Sequence, residues 1–289
     1  MKSKLILGTA NFSPGYGINN SNGLNVRMIN SLNKVMKNNN IKELDAAYSY
    51  QGVEKKIGLS ILRKYEIYSK VPEIKTKKVN KNFTKRIIDK SLANLKKKNI
   101  KGIFFHSVKN LKSESGLKIY SYLVSLKKKG IIKKIGISVY SPTELKSAIK
   151  KFKFDMIQIP INIFDRRFLY KNLLKKMKNR GIEIHVRSIF LQGILLCNID
   201  NLPKYFKTWK NLFIKWENWN FDNKKKKIET CLNFLNNQRY IDKLVIGVNN
   251  ARQLEEIIKI LKKNKKKFPR KIYSDNKKLL EPRLWKKKK

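Results

Sequence analysis

Short runs of apolar and β-branched residues recur along the chain. Between them lie longer stretches in which apolar positions return every three or four residues. The short runs read as strands over Leu5–Leu7, Ile41–Asp45, Glu66–Lys70, Gly102–His106, Lys134–Ser138, Met156–Pro160, Glu183–Arg187 and Lys243–Ile246. Helical spacing fills the intervals. Ile87, Ile88, Leu92 and Leu95 share one face; Leu117, Tyr120, Leu123, Val124 and Leu126 share another, which ends at Gly130 as a helix C-cap does. Eight strand–helix units in alternation argue for a parallel sheet, and that number suggests closure into a (β/α)8 TIM barrel. A doubly wound sheet is the weaker alternative, because no strand is followed by Gly-x-Gly-x-x-Gly. Gly15-Tyr16-Gly17 lacks the third glycine and reads as a turn.

The 289 residues suit one barrel domain, which commonly takes about 250. One stretch, 188–222, breaks the rhythm and carries Trp209, Trp216 and Trp219 among lysines. In a barrel this insertion follows strand seven, on the face where active sites are built. The tryptophans read first as anchors for the insertion; the other reading has one of them walling a substrate pocket. No apolar run approaches the roughly 20 residues of a membrane helix. The basic start, Met1-Lys2-Ser3-Lys4, leads into an apolar run too short for a signal peptide, so a cytoplasmic protein is expected. Cys197 and Cys231 match no metal or redox spacing and read as ordinary thiols; no metal site is expected.

Charge changes the picture less than its size suggests. Lys and Arg number 68 against 20 Asp and Glu, a net charge of +48. Nucleic acid is the first thought. Yet only 11 of the cations are Arg, the better bidentate reader of phosphate, and the lysines are spread along the whole chain. Asn and Ile are abundant too, and all three residue types have A/T-rich codons. Lysine accumulated on solvated helix faces is the reading adopted. Non-specific, salt-sensitive attraction to nucleic acid is expected, with no specific site. Lys224–Lys227, Lys265–Lys267 and the tail Lys286–Lys289 fit the same description.

The chemistry gathers at strand ends. Ile41–Leu44 delivers a carboxylate, Asp45. Five residues later comes a phenol, Tyr50, and then a helix with Glu54 and Gly58. The next two strands end at Lys70 and His106. Asp, Tyr, Lys and His are the parts needed to protonate a carbonyl oxygen as a hydride reaches its carbon. A free phenol, with pKa about 10, is a poor acid at neutral pH. A nearby ammonium is expected to lower that pKa, and a carboxylate to keep the ammonium charged.

These residues, in order, resemble the aldo-keto reductases. The likeness runs from Leu7-Gly8-Thr9-Ala10-Asn11-Phe12 and Tyr16-Gly17-Ile18 through Asp45–Gly58, Lys70 and His106. It continues with Lys133–Ser138, with Gln158–Asn162 and with Ile246–Glu256. The runs Ile159–Arg167 and His185–Gly193 look like a bacterial branch linked to surface-polysaccharide sugar metabolism. The resemblance implies a (β/α)8 barrel with Tyr50 as acid, Lys70 as its tuner, Asp45 as anchor and His106 orienting the carbonyl. It implies NADP as cofactor, with NAD possible, and a small-molecule carbonyl substrate. Gly8 and Thr9 would lie near the nicotinamide, Ser138 and Gln158 at its carboxamide, and Gly247, Asn249, Gln253 and Glu256 at the adenosine end, where a helix N-terminus suits a phosphate.

The chain departs from the family in five places, the mildest being Asp45-Ala46-Ala47 for the usual Asp-Thr-Ala, which is expected to be harmless. Ser138-Val139 replaces the usual Ser-Asn, so one carboxamide contact is either missing or replaced by Tyr140. Arg187 stands where an aromatic often stacks on the nicotinamide; its plane can stack, or it can bind an anionic substrate. Gln253 replaces an arginine used by some members for the 2′-phosphate. Strand one begins almost at residue 4, so the hairpin that usually plugs the barrel bottom is expected to be absent or reduced. A cofactor-sensing regulatory subunit is the rival reading, because some members act as partners of other proteins.

Overall fold

The computed structural model describes residues 4–16, 23–74, 81–111, 114–263 and 267–285. Met1–Ser3, Gly17, Ile18, Lys265, Lys266 and Lys286–Lys289, all named above, lie outside them. The described residues form eight strands: β1 (Leu5–Gly8), β2 (Glu43–Asp45), β3 (Glu66–Val71), β4 (Ile100–Phe105), β5 (Ile132–Ser138), β6 (Met156–Pro160), β7 (Glu183–Arg187) and β8 (Lys243–Gly247). They pair in parallel in chain order, and β8 returns to β1 through Leu5↔Leu244 and Gly8↔Gly247, so the barrel closes. The helices are α1 (Val26–Asn38), α2 (Val53–Gly58), α3 (Lys81–Leu95), α4 (Glu114–Lys128), α5 (Pro142–Lys151), α6 (Leu173–Asn179), α7 (Lys210–Asp222), α8 (Lys227–Asn236), α9 (Ala251–Lys263) and α10 (Lys277–Leu280).

Local chemistry sets the boundaries. Asn25 caps α1 by accepting from Met28 N at 2.9 Å, and Ser141 caps α5 ahead of Pro142. β2 starts at Glu43, two residues later than its apolar run suggests, because Ile41 N donates back to Met36 O at 3.0 Å and closes the end of α1. Gly130, at φ +70°, ends the turn after α4 in the left-handed conformation that glycine accepts freely. Leu117, expected on the buried face of α4, is exposed; Ile119, Leu123 and Leu126 carry that face instead.

The main apolar core lies between barrel and helices, and a smaller cluster of Ile6, Tyr68, Phe104 and Met156 fills the barrel interior. A Cβ on Gly136 would come within 2.6 Å of both Met156 and the Phe104 ring, so glycine there leaves room for the interior aromatics. His185 is fully buried among them, edge-on to Tyr68 at 4.9 Å, with Nε2 bonded to Glu183 Oε1 at 2.6 Å. Below this layer Glu43 and Glu183 pair with Lys101, Lys243 and Lys134 at the N-terminal mouth of the barrel.

Between β7 and α8 lie three 3-10 turns and α7. Trp216 is buried there, donates to Leu195 O at 3.0 Å and packs on Phe164; Trp209 packs on Tyr205 and Phe206. The pocket lining includes none of Trp209, Trp216 and Trp219, and the anchoring reading describes Trp209 and Trp216.

Candidate active site

A cavity of about 660 Å³ opens at the C-terminal ends of the strands. Ten of the thirteen candidate residues line it. The other three, Thr9, Lys70 and Ser138, lie just behind its wall and are buried.

Asp45 closes the floor. It ends β2, where strand geometry turns its carboxylate into the barrel. Lys70 Nζ, fully buried on β3, donates to Asp45 Oδ2 at 2.6 Å and to Ala46 O at 2.8 Å. Gln158 Nε2, from β6, donates to the other carboxylate oxygen at 2.7 Å, and Thr9 Oγ1 donates to the Asp45 carbonyl at 2.9 Å. Burial pushes the Lys70 pKa below its ordinary range, and Asp45 offsets that only in part. Gln158 Oε1 is buried and finds no hydrogen-bond partner among the described residues, an uncommon state for a buried carbonyl.

Tyr50 stands in the turn that leads into α2. Its ring lies 5.2 Å from Lys70 Nζ, edge-on to His106 with centroids 6.1 Å apart, and 6.4 Å from the Tyr16 ring. The expected lowering of its pKa is corrected here. Burial first, and then the Asp45 carboxylate, push the phenol above its ordinary range, with only Arg187 opposing them to an appreciable degree. The physical reason is burial of the phenol, to which the negative charge of the Asp45 carboxylate adds. Tyr50 therefore keeps its proton in the free protein.

His106 follows β4. Burial, then Lys70 and Arg187, push its imidazole down to about 3, so the ring is neutral at ordinary pH. Its Nδ1 is 3.2 Å from Ser49 Oγ. With the hydroxyl donating to Nδ1, the remaining ring N–H is Nε2–H. Ser49 is a residue that sequence reasoning passed over, although it sits inside the most informative run of the chain.

α2 is pinned by the two other residues of that run. Glu54 is buried and accepts from Ser69 at 2.6 Å and Ser91 at 3.0 Å, and burial pushes its pKa up. A Cβ on Gly58 would meet Asn94 O at 2.0 Å, so only glycine lets α2 lie this close to α3.

At the opposite wall, Asn249 N donates to Gln253 Oε1 and Gln253 N to Asn250 Oδ1, which fixes the start of α9. Asn11 Nδ2 donates to Asn249 Oδ1 at 2.8 Å, and a Cβ on Gly247 would lie 2.3 Å from Asn11 Oδ1. Asn11 and Tyr16 line the cavity without having been singled out; the only sequence signal was their place in the first family run. Val139 is fully buried, whereas Tyr140 faces the cavity with Arg187 and Arg283 stacked on it at 4.2 and 4.3 Å. Arg283 also bonds Glu281 and Glu144, and Arg167 joins Glu281 to Asp165. This network fixes the segment carrying Pro282, a wall residue, against the barrel.

Comparison with known proteins agrees with this architecture. The family model for the aldo/keto reductase family matches residues 4–271, and the chain belongs to that family. Two solved structures from Pseudomonas aeruginosa, each of a candidate aldo-keto reductase, are similar at 18% identity and a TM-score of 0.67. Each match covers 91% of this chain and 90% of the other. No curated protein matches the chain. Membership carries the general expectation of NAD(P)H-dependent carbonyl chemistry in an oxidoreductase. No helix among the described residues is long and apolar enough to cross a membrane.

Proposed function

We propose that this cavity holds NAD(P)H beside a carbonyl compound, and that the chain reduces the carbonyl to an alcohol with Tyr50 as proton donor. The observation that carries the proposal is the protonated phenol of Tyr50 beside neutral His106, both on the wall of one cavity, with the Lys70–Asp45 pair buried behind them.

The residues fit a nicotinamide nucleotide. Among the described residues Gln158 Oε1 is a buried acceptor without a donor, which suits a carboxamide NH₂. Gly8 and Gly247 lie on the cavity wall, and Asn249, Gln253 and Glu256 offer polar groups on the same wall. A bound reduced nicotinamide supplies the hydride. Every other role falls to the chain. His106 Nε2–H donates to the carbonyl oxygen and orients it. Tyr50 Oη passes its proton to that oxygen as negative charge develops there. Lys70 stabilises the phenolate left behind, and Asp45 keeps the ammonium charged and aimed at the site. Gln192 and Asn198 add hydrogen-bonding groups to the wall beyond β7, which suits a polar, sugar-like substrate.

Titration with NADPH and NADH followed by tryptophan fluorescence, then a panel of aldehydes and keto-sugars, tests the proposal. Saturable binding with NAD(P)H oxidation is expected, and the titration ranks the two nucleotides. No binding of either nucleotide would sink the proposal.

A further inference from the structure

Most charged side chains around the cavity have partners of opposite sign. Lys70 pairs with Asp45, Lys227 with Glu217 at 2.6 Å, and Arg283 with Glu144 and Glu281, both at 2.7 Å. Arg187, at the end of β7, differs. Among the described residues its hydrogen bonds reach only neutral oxygens: Ser138 Oγ at 3.3 Å, Ser188 Oγ at 3.1 Å and Val139 O at 3.1 Å. Its plane packs on Tyr140.

Those contacts hold the guanidinium in one place. They use three of its five donors and leave one N–H on each terminal nitrogen. Holding the loop at Val139 and Tyr140 requires donors but no net charge. A fixed, partly buried cation without a counter-ion is costly unless something brings the counter-ion. Arg187 shares the cavity with Tyr50 and His106, and its charge acts on both.

We propose that Arg187 receives an anionic group, carboxylate or phosphate, carried by the carbonyl compound itself. The planar fork suits either anion. The inference rests on the reading of the cavity as a site of carbonyl reduction. It is separable from the overall positive field, because removing one of 68 cations leaves that field nearly intact.

The test measures kcat/KM at about 0.15 M salt, where long-range fields are screened beyond roughly 8 Å. The substrates are two matched pairs: 4-carboxybenzaldehyde against its methyl ester, and glyceraldehyde 3-phosphate against glyceraldehyde. Wild type is expected to favour at least one anionic member by about tenfold or more, which corresponds to roughly 1.4 kcal/mol. The pair that shows the preference identifies carboxylate or phosphate as the anion. Arg187→Gln is expected to erase the preference and Arg187→Lys to restore part of it. Equal use of both members of both pairs by wild type would overturn the inference, as would a preference that survives in Arg187→Gln. A parallel loss of NADPH affinity in Arg187→Gln would assign the residue to the nucleotide and overturn it too. Absence of turnover with all four compounds would sink the reduction reading. The inference would then be judged by fluorescence titration with benzoate and benzamide: benzoate binding that is weakened in Arg187→Gln supports it, and equal binding in both proteins refutes it.

Discussion

Lys70 Nζ lies 2.6 Å from Asp45 Oδ2 in a pair that is almost wholly out of solvent. Two charges from different strands neutralise one another at the bottom of a cavity whose wall carries a phenol and an imidazole. The pair holds the ammonium next to the Tyr50 ring without drawing the proton off the phenol in the resting protein. In the proposed reaction its charge becomes useful only as the phenolate forms, which is when transition-state stabilisation counts.

Breaking this pair is therefore expected to damage both fold and chemistry. Lys70→Met leaves Asp45 buried without its cation, and loss of one partner of a buried pair costs about 3–5 kcal/mol. Asp45→Asn/Lys70→Met is expected to recover much of that stability but none of the turnover. Urea unfolding of the two variants and wild type checks the first statement, and steady-state rates the second. Equal stability of single and double variants would contradict it.

Ser49 acts through His106. Removing a hydroxyl from a hydrogen bond of this kind costs about 1 kcal/mol, or roughly fivefold in an equilibrium or rate. Ser49→Ala is expected to lower kcat/KM by about that factor for a carbonyl substrate while nucleotide affinity is unchanged. Ser49→Thr, which keeps the hydroxyl, is expected to retain most activity. Identical kinetics in Ser49→Ala and wild type would show that the bond to Nδ1 does not set the tautomer.

Acid is expected to loosen the fold in two stages. The His106 imidazole is pushed from its ordinary 6.5 down to about 3, so between those values the unfolded chain binds the extra proton and stability falls as pH drops. Glu43 and Glu183 follow. Against the effect of burial, Lys101 and Lys243 hold Glu43, and His185 and Lys134 hold Glu183, below the ordinary 4.5. What these carboxylates contribute is present above about 4.5 and lost as pH falls toward their lowered values. Melting temperature is expected to decline steadily from pH 7 to pH 4, measured at constant ionic strength. A flat profile would contradict these assignments.

The sequence foretold the barrel because its signal is repeated. Each strand is a short β-branched run, each helix has an apolar face, and eight such units leave few ways to bury both. It located the strand-end polars as well, since a residue at the end of a barrel strand has one face to point toward. It did not foretell their mutual electrostatics. The Tyr50 pKa depends first on how deeply the phenol is buried and then on the nearby Asp45 carboxylate, neither of which periodicity contains. Ser49 behind His106 and Tyr140 between two guanidiniums depend on loop conformation, and Gln158 bonded to Asp45 is a side-chain contact across the barrel; periodicity encodes neither.

The most direct measurement is single-turnover absorbance at the reduced-nicotinamide band, with Tyr50→Phe and wild type each saturated with NADPH and mixed with a carbonyl substrate. A positioned general acid contributes about 10²–10⁴ in rate. The account predicts that Tyr50→Phe binds NADPH as tightly as wild type and loses hydride transfer by a factor in that range. An unchanged rate would mean that the proton comes from elsewhere and that Tyr50 is only part of the wall.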